Sequence, residues 1–184
     1  MTRSQLIRLA LFACLLVLTC VSVDAQSLSS GAQTIALTAT LDESISINLT
    51  ANSVSFTLTP GNASNPGSTG VTATTTWISK PGRNVTTYIF FSNASSALTD
   101  GAGDNIASNQ FEVSDNGSAF KPLTNTVVFG GAGAGLQLTS TKVTGTNKTG
   151  SHTDNMLFNI NLGSVPQLAA GTYTGTVTLR AEAN

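Results

Sequence analysis

The amino-acid sequence predicts an all-β protein, an antiparallel β-sandwich of about 8–10 strands in a single domain. Three observations support this: apolar and polar residues alternate with a period of two, glycine- and asparagine-rich turns separate short runs, and no segment after residue 25 has an amphipathic helical repeat. Because successive side chains of a strand point to opposite faces, this alternation gives each strand one apolar face. Many short strands between glycine-rich turns are typical of sandwiches.

The first 25 residues have the features of a signal peptide. Arg3 and Arg8 precede an apolar run over residues 9–23, and Val23-Asp24-Ala25 offers a cleavage site. The run is too short for a membrane span, so we expect no membrane insertion of the mature chain. The sequence therefore predicts an exported protein with one domain over residues 26–184, in the periplasm, at the cell surface or outside the cell.

Composition excludes several classes of function. Cys14 and Cys20 both lie in the predicted signal peptide, which leaves no thiol for catalysis, metal binding or disulfides. The chain carries eight Lys and Arg and nine Asp and Glu, for a net charge of −1. Because nucleic-acid affinity depends on clustered basic residues, we expect no nucleic-acid partner.

Alternation and turn residues together predict the strands. A Pro-Gly turn at residues 80–83 predicts a hairpin, and Asn116-Gly117 predicts a second one. Tyr173 begins the clearest strand, and its hydroxyl either bonds back to the preceding corner or is simply half-buried. The predicted strands cover residues 35–41, 44–49, 54–58, 71–78, 84–92, 111–113, 127–129, 136–143, 156–162 and 173–183, with a further one near Phe120.

Three segments could be taken for catalytic or ligand-binding motifs, and we predict that each is an ordinary loop. His152 lies in a segment expected to be an exposed loop, without a second histidine or a cysteine to complete a site. The glycines of residues 130–135 precede a strand rather than a helix, so they predict a tightly curved or flexible connection, not a phosphate loop. Residues 100–105 lack the ligand density of a calcium loop. We therefore predict no enzyme, no cofactor and no metal.

The aromatic residues of the first predicted hairpin admit two interpretations. Tyr88 and Phe90 lie on the opposite face of their strand from Ile89, so that strand is apolar on both faces. Trp77, Tyr88 and Phe90 then either pack in a core covered on both sides or form a surface that contacts a partner or a carbohydrate.

Two segments resemble a known group of proteins. Residues 54–61, VSFTLTPG, and residues 170–179, AGTYTGTVTL, resemble strands of secreted bacterial pilin-like proteins, namely spore-coat-U-like proteins and archaic chaperone–usher fimbrial subunits. The resemblance implies an immunoglobulin-like sandwich, sometimes incomplete, that is finished by a strand from a neighbouring subunit.

Residues 26–41 contain a candidate for such an exchange strand. Ile35, Leu37, Ala39 and Leu41 alternate with polar or small residues. The strand either pairs within its own domain or adds to an exposed sheet edge of the next subunit. We thus expect a non-enzymatic structural or adhesive surface protein, a pilus- or fimbria-like subunit that associates with itself or with other surface-assembly subunits. The alternative is a secreted carbohydrate- or ligand-binding module.

Overall fold

The computed structural model describes residues 30–184. The predicted signal peptide, with Cys14 and Cys20, lies outside the described residues. The chain divides into two compact units, Met1–Ala39 and Thr40–Asn184. Of the first unit the structure describes residues 30–39, which form no strand.

The second unit is built from strands alone, apart from one turn of 3₁₀-helix at Ser108–Gln110. Within residues 30–184 no helix has the length and apolarity needed to cross a membrane. The all-β prediction is confirmed. In chain order the strands are β1 (Ser44–Leu49), β2 (Asn65–Pro66), β3 (Val71–Ile78), β4 (Asn84–Phe90), β5 (Leu98–Thr99), β6 (Asn105–Ile106), β7 (Phe111–Asp115), β8 (Lys121–Pro122), β9 (Gly135–Lys142), β10 (Thr149–Ile160) and β11 (Thr178–Ala183).

The strands form two main antiparallel sheets, as expected for a sandwich. The larger sheet has the order β1-β3-β10-β7-β8, and β2 also pairs with β10. The smaller sheet has the order β11-β4-β9, and β5 and β6 form a separate pair. Strand β10 pairs with three neighbours and is therefore the centre of the larger sheet.

The buried core contains residues from both main sheets and has two apolar parts. The larger part includes Ala73 from β3 and Ile89 from β4, and the smaller part comprises Trp77, Val85 and Val143. Thr75 lies between Ala73 and Trp77 on the inner face of β3. Its Oγ1 lies 3.2 Å from Oγ1 of Thr87, which occupies the corresponding position on β4. A hydrogen-bonded polar pair thus separates the two apolar parts.

The predicted hairpin between residues 71–78 and 84–92 is wrong. Strand β3 pairs with β1 and β10, whereas β4 pairs with β11 and β9, so the turn at residues 80–83 crosses from one sheet to the other. Gly82 has the positive φ of 98° that the turn prediction required. The turn residues determine the geometry of the turn only. Both faces of β4 are buried, so other residues must cover it on each side. This burial, and not the turn, determines that β4 does not pair with β3.

The second hairpin is confirmed. Asn116 and Gly117 both have positive φ, at 48° and 76°, and connect β7 to β8. The backward hydrogen bond of Tyr173 is also present, because its hydroxyl donates to the Ala169 carbonyl oxygen at 3.0 Å.

Other predicted strands differ in extent. Strand β10 begins at Thr149 instead of Met156, and residues 127–129 form no strand. Residues 54–58 contain only an isolated bridge at Phe56, and residues 173–177 contain only one at Thr174. Residues 35–41 form no strand at all. The last three segments share a cause: each lacks a neighbouring strand along most of its length.

Core packing predicts a large difference between two leucines. Leu162 is fully buried in the larger apolar part, whereas Leu157 is exposed on the outer face of β10. Leu162→Ala should lower the free energy of unfolding by about 2–5 kcal/mol, because it leaves a cavity. Leu157→Ala is the matched control and should change it by less than about 0.5 kcal/mol. Urea unfolding of both variants measures the difference, and equal losses would contradict this core assignment.

Candidate functional site

An open apolar groove of about 670 Å³ lies in the Thr40–Asn184 unit. Two chain segments, residues 51–58 and residues 171–177, form its walls. No side chain that lines it is ionisable at neutral pH. The lining residues include Val54, Phe56, Leu58, Val71, Phe91, Leu98, Phe111, Phe158, Ile160, Tyr173 and Val177.

Aromatic rings of the larger apolar part form the groove's floor. The ring of Phe111 lies 5.1 Å from that of Phe91 and 5.6 Å from that of Phe158, measured between centroids. Phe56, from the first wall, packs edge-on against Phe111 at 5.9 Å. The groove therefore opens directly onto the main core, and a side chain that entered it would join that core.

The first wall is paired along one edge only. Ser55 accepts a backbone hydrogen bond from Ser68 at 2.8 Å, and Phe56 bridges Gly67. Backbone groups of an extended segment alternate between its two edges, so those of Val54 and Phe56 point away from the edge that Ser55 uses. Backbone groups of a strand-like segment need partners in a dry environment. The edge of this wall that faces the groove is thus free to pair with another strand.

The second wall has the same character. Thr174 exchanges two backbone hydrogen bonds of 2.9 Å with Thr99, and regular pairing with β4 begins only at Thr178. Gly175 lies so close to the Ala97 carbonyl oxygen that a Cβ would collide with it. This contact holds the segment against β5 on one side, while its other edge lines the groove.

The alternating segment before β1 is exposed. The exposed fractions of Ile35, Leu37 and Leu41 are 85%, 90% and 80%, and Ala39 is exposed as well. These values are far above those of ordinary apolar residues in a folded chain, which bury most of their surface. The segment of the predicted exchange strand is thus exposed and is assigned to no strand. Its insertion into a neighbouring subunit stays a prediction.

Glu43 fixes the point at which this segment leaves the Thr40–Asn184 unit. Its carboxylate accepts hydrogen bonds from the Lys80 backbone N–H at 2.8 Å, from the Ser79 hydroxyl at 3.1 Å and from Arg83 Nε and Nη2 at 3.1 Å each. The hydrogen bond from Lys80 is the main cause that lowers the pKa of Glu43 below its ordinary value, and Arg83 adds to it. The chain is anchored from Glu43 onward, directly before β1.

Aromatic residues that could have contacted a ligand lie in the interior. Trp77 is 4% exposed, and its Nε1 donates to the Asn147 carbonyl oxygen at 3.0 Å. Tyr88 and Phe90 are buried beneath Phe129, whose ring lies 6.0 Å and 6.1 Å from theirs. Their placement agrees with core packing on both faces of β4, and it leaves no free aromatic face on Trp77 for a sugar to stack on.

The glycines of residues 130–135 allow the chain to cover β4 closely. A Cβ at Gly130 would collide with the ring of Phe90, and one at Gly131 would collide with the Ser92 carbonyl oxygen. The Gly131 amide donates to the Phe91 carbonyl oxygen at 2.9 Å. The glycines therefore form a tightly curved connection, one of the two forms that the sequence predicted.

The sequence predicted that His152 lies in an exposed loop, and this prediction is wrong. His152 belongs to β10 and is half-buried, with its Nε2 3.0 Å from both Asp154 Oδ1 and Thr139 Oγ1. In the loop at residues 100–105, Asp100 Oδ1 accepts amide hydrogen bonds from Ala102 and Gly103. Over residues 30–184, no three His, Cys, Asp or Glu side chains are placed to hold a metal ion.

Sequence reasoning missed the groove, although it identified the pieces that form it. Residues 54–58 and 173–177 alternate as strands do, and each was predicted to pair fully. Alternation specifies which side chains share a face of a strand, but not whether a neighbouring strand exists for it to pair with. No local signal in the sequence could have found the groove, because alternation has the same form in a segment with a partner strand and in one without it.

The position of Trp77 predicts its fluorescence. Trp77 is the only tryptophan, so its emission reports on one environment. We expect a blue-shifted emission with little quenching by iodide, because the indole is buried in an apolar cluster. The same chain in urea should show red-shifted, readily quenched emission. Strong quenching of the folded protein, relieved by a soluble sugar, would instead place the indole on a ligand surface.

Comparison of the chain with models of protein families, with curated proteins and with solved structures found no match.

Proposed function

We propose that this chain is an exported, non-enzymatic structural subunit that assembles by strand addition, with residues 35–41 of one copy in the groove of the next. One observation carries the proposal: an apolar groove whose two walls are not regular strands occurs in the same chain as an exposed, alternating segment. Addition of a strand to a sheet edge uses backbone hydrogen bonds for affinity and alternate side chains for register.

The lengths of the two parts agree. Seven residues from Ile35 to Leu41 span about 20–24 Å as a strand, at 3.2–3.4 Å per residue. The groove walls, residues 51–58 and 171–177, have eight and seven residues. A strand of residues 35–41 therefore matches both walls in length.

The alternation gives the strand one face for the groove. Ile35, Leu37, Ala39 and Leu41 would face the aromatic floor, and Thr38 and Thr40 would face water. Burial of one large aliphatic side chain is worth about 1.5–3 kcal/mol, so the three largest supply about 5–9 kcal/mol before the cost of ordering the segment. Neither residues 30–41 nor the groove lining carries a charge, so the association should depend little on salt.

Chain connectivity favours a second copy as the source of the strand. Leu41 lies three residues before Ser44, the first residue of β1, and can extend at most about 10 Å from it. The groove lining begins at Leu49, at the other end of β1 and about 17–20 Å away. Leu41 therefore cannot enter the groove of its own chain while β1 stays paired. Insertion between copies is heterologous and generates head-to-tail assemblies, either rings or open polymers.

Two substitutions of adjacent residues test the proposal. Leu37→Asp places a carboxylate on the face that enters the groove and should abolish assembly. Thr38→Asp adds the same charge on the opposite face and should leave assembly intact. Analytical ultracentrifugation of the purified chain over a range of concentrations measures both. Equal behaviour of the two variants, or a wild-type chain that stays monomeric at every concentration, would refute strand addition.

A peptide experiment tests the groove separately. The Leu37→Asp chain keeps an intact groove, so it should bind a synthetic peptide of residues 33–43, and isothermal titration calorimetry should show a negative heat-capacity change. A peptide that carries Leu37→Asp is the control and should not bind. Binding should be lost when Val177→Asp is added to the protein, because Val177 lines the groove. Binding that survives this change would place the peptide elsewhere.

A further inference from the structure

Two buried carboxylate oxygens face each other across β7 and β10 without a hydrogen-bond donor. In residues 30–184, Asp115 Oδ1 and Asp154 Oδ2 are the only buried side-chain polar atoms that lack a partner. Asp154 is fully buried on β10, and Asp115 is partly buried at the end of β7. Buried polar groups are almost always satisfied, so this pair requires an explanation.

The other oxygen of Asp154 is fully used. Its Oδ1 accepts a hydrogen bond from the Thr139 hydroxyl, which belongs to β9 in the opposite sheet, and lies 3.0 Å from His152 Nε2. The hydroxyl proton of Thr139 is thereby committed to Asp154. His152 must then carry its proton on Nε2 in order to donate to Asp154 Oδ1 or to Thr139 Oγ1, each 3.0 Å away. Oδ1 of Asp154 therefore has a hydrogen-bond donor, and Oδ2 has none.

We propose that Asp115 and Asp154 bind one proton between them, with the proton on Asp115 Oδ1 and donated to Asp154 Oδ2. A single proton satisfies both unpartnered atoms and removes the repulsion between two carboxylates in a poorly hydrated place. The result is a hydrogen-bonded chain from β7 through β10 to β9, which connects the two main sheets.

Electrostatics supports this assignment. Burial raises the pKa of the Asp115 carboxyl above its ordinary value of 3.8, and the negative charge of Asp154, which is close enough to hydrogen bond to Asp115, raises it further. His152 acts on the pKa of Asp115 in the opposite direction, and its effect is smaller than that of burial or of Asp154. The residues that β3 and β4 contribute to this layer, Thr75 and Thr87, carry no ionisable group and hydrogen-bond to each other.

The bound proton makes stability depend on pH in a defined direction. The folded state holds the proton more tightly than the unfolded state does. Its contribution is therefore complete below pH 3.8 and is lost as the pH rises through the raised pKa of folded Asp115. Most aspartates behave in the opposite way, because their folded pKa is lowered. This site stabilises the protein most at low pH, and less once the pH has passed the pKa of folded Asp115.

Replacement of Asp115 by asparagine tests the proposal. In Asp115→Asn, the side-chain amide supplies a permanent donor to Asp154 Oδ2 and mimics the protonated acid. The melting temperature of the variant minus that of the wild type should increase as the pH rises from 3.8 through the raised pKa of Asp115, and then level off. Asp104→Asn, which changes an exposed aspartate, is the control and should give no such trend. A difference that stays constant with pH would overturn the shared proton.

Two measurements on the wild-type chain keep the test independent of the variant's folding. Carbon-detected NMR of the aspartate carboxyl groups should show one that titrates clearly above pH 3.8, and it should be absent in Asp115→Asn. Calcium chloride or EDTA should leave the wild-type melting temperature unchanged at neutral pH. A rise with calcium that Asp115→Asn abolishes would show that a cation, rather than a proton, neutralises the pair.

Discussion

The central constraint on this fold is the aromatic cluster around Phe111, which lies under a groove whose two walls, residues 51–58 and 171–177, are not regular strands. Phe111 contacts Phe56, Phe91 and Phe158, so the floor is continuous with the main core. Residues 51–58 and 171–177 each pair along their outer edge and leave the inner edge free. Partly buried apolar side chains, among them Val54 and Val177, thus lie beside backbone that lacks regular strand pairing, and a single strand would cover both.

Strand β10 connects this constraint to the rest of the molecule. Its inner face supplies Phe158 and Ile160 to the groove floor and, further toward its start, Asp154 and His152 to the polar layer. Apolar packing along a strand tolerates small shifts, whereas a buried carboxylate with fixed donors does not. Asp154 therefore fixes β10 against Thr139 of the opposite sheet, and this in turn fixes the height of the groove floor relative to its walls.

The sequence predicted the features that depend on local pattern, such as strand bounds and turns. It did not predict the features that depend on residues far away in the chain, such as which strands pair. The bounds of β1 and β3 and the Asn116-Gly117 hairpin follow from alternation and turn chemistry, and they agree with the structure. The 71–92 hairpin was wrong because a Pro-Gly turn serves equally well to cross between sheets. His152 was assigned to a loop because its neighbours are polar, and polar residues also line a buried layer when they hydrogen-bond to one another, as His152, Thr139 and Asp154 do.

The same reasoning explains why residues 35–41 could be recognised as a strand but not located. Alternation of apolar and polar residues predicts that one face of the strand will be buried. It does not predict whether that face is buried in the core of the same chain or of another one. Local alternation has the same form whether the partner edge belongs to the same chain or to another one, and only the exposure of Ile35 and Leu37 separates the two cases. If the strand completes a neighbour's core, folding and assembly draw on the same apolar contacts. The stability of each subunit then rises with the concentration of the others, as for any ligand that binds only the folded state.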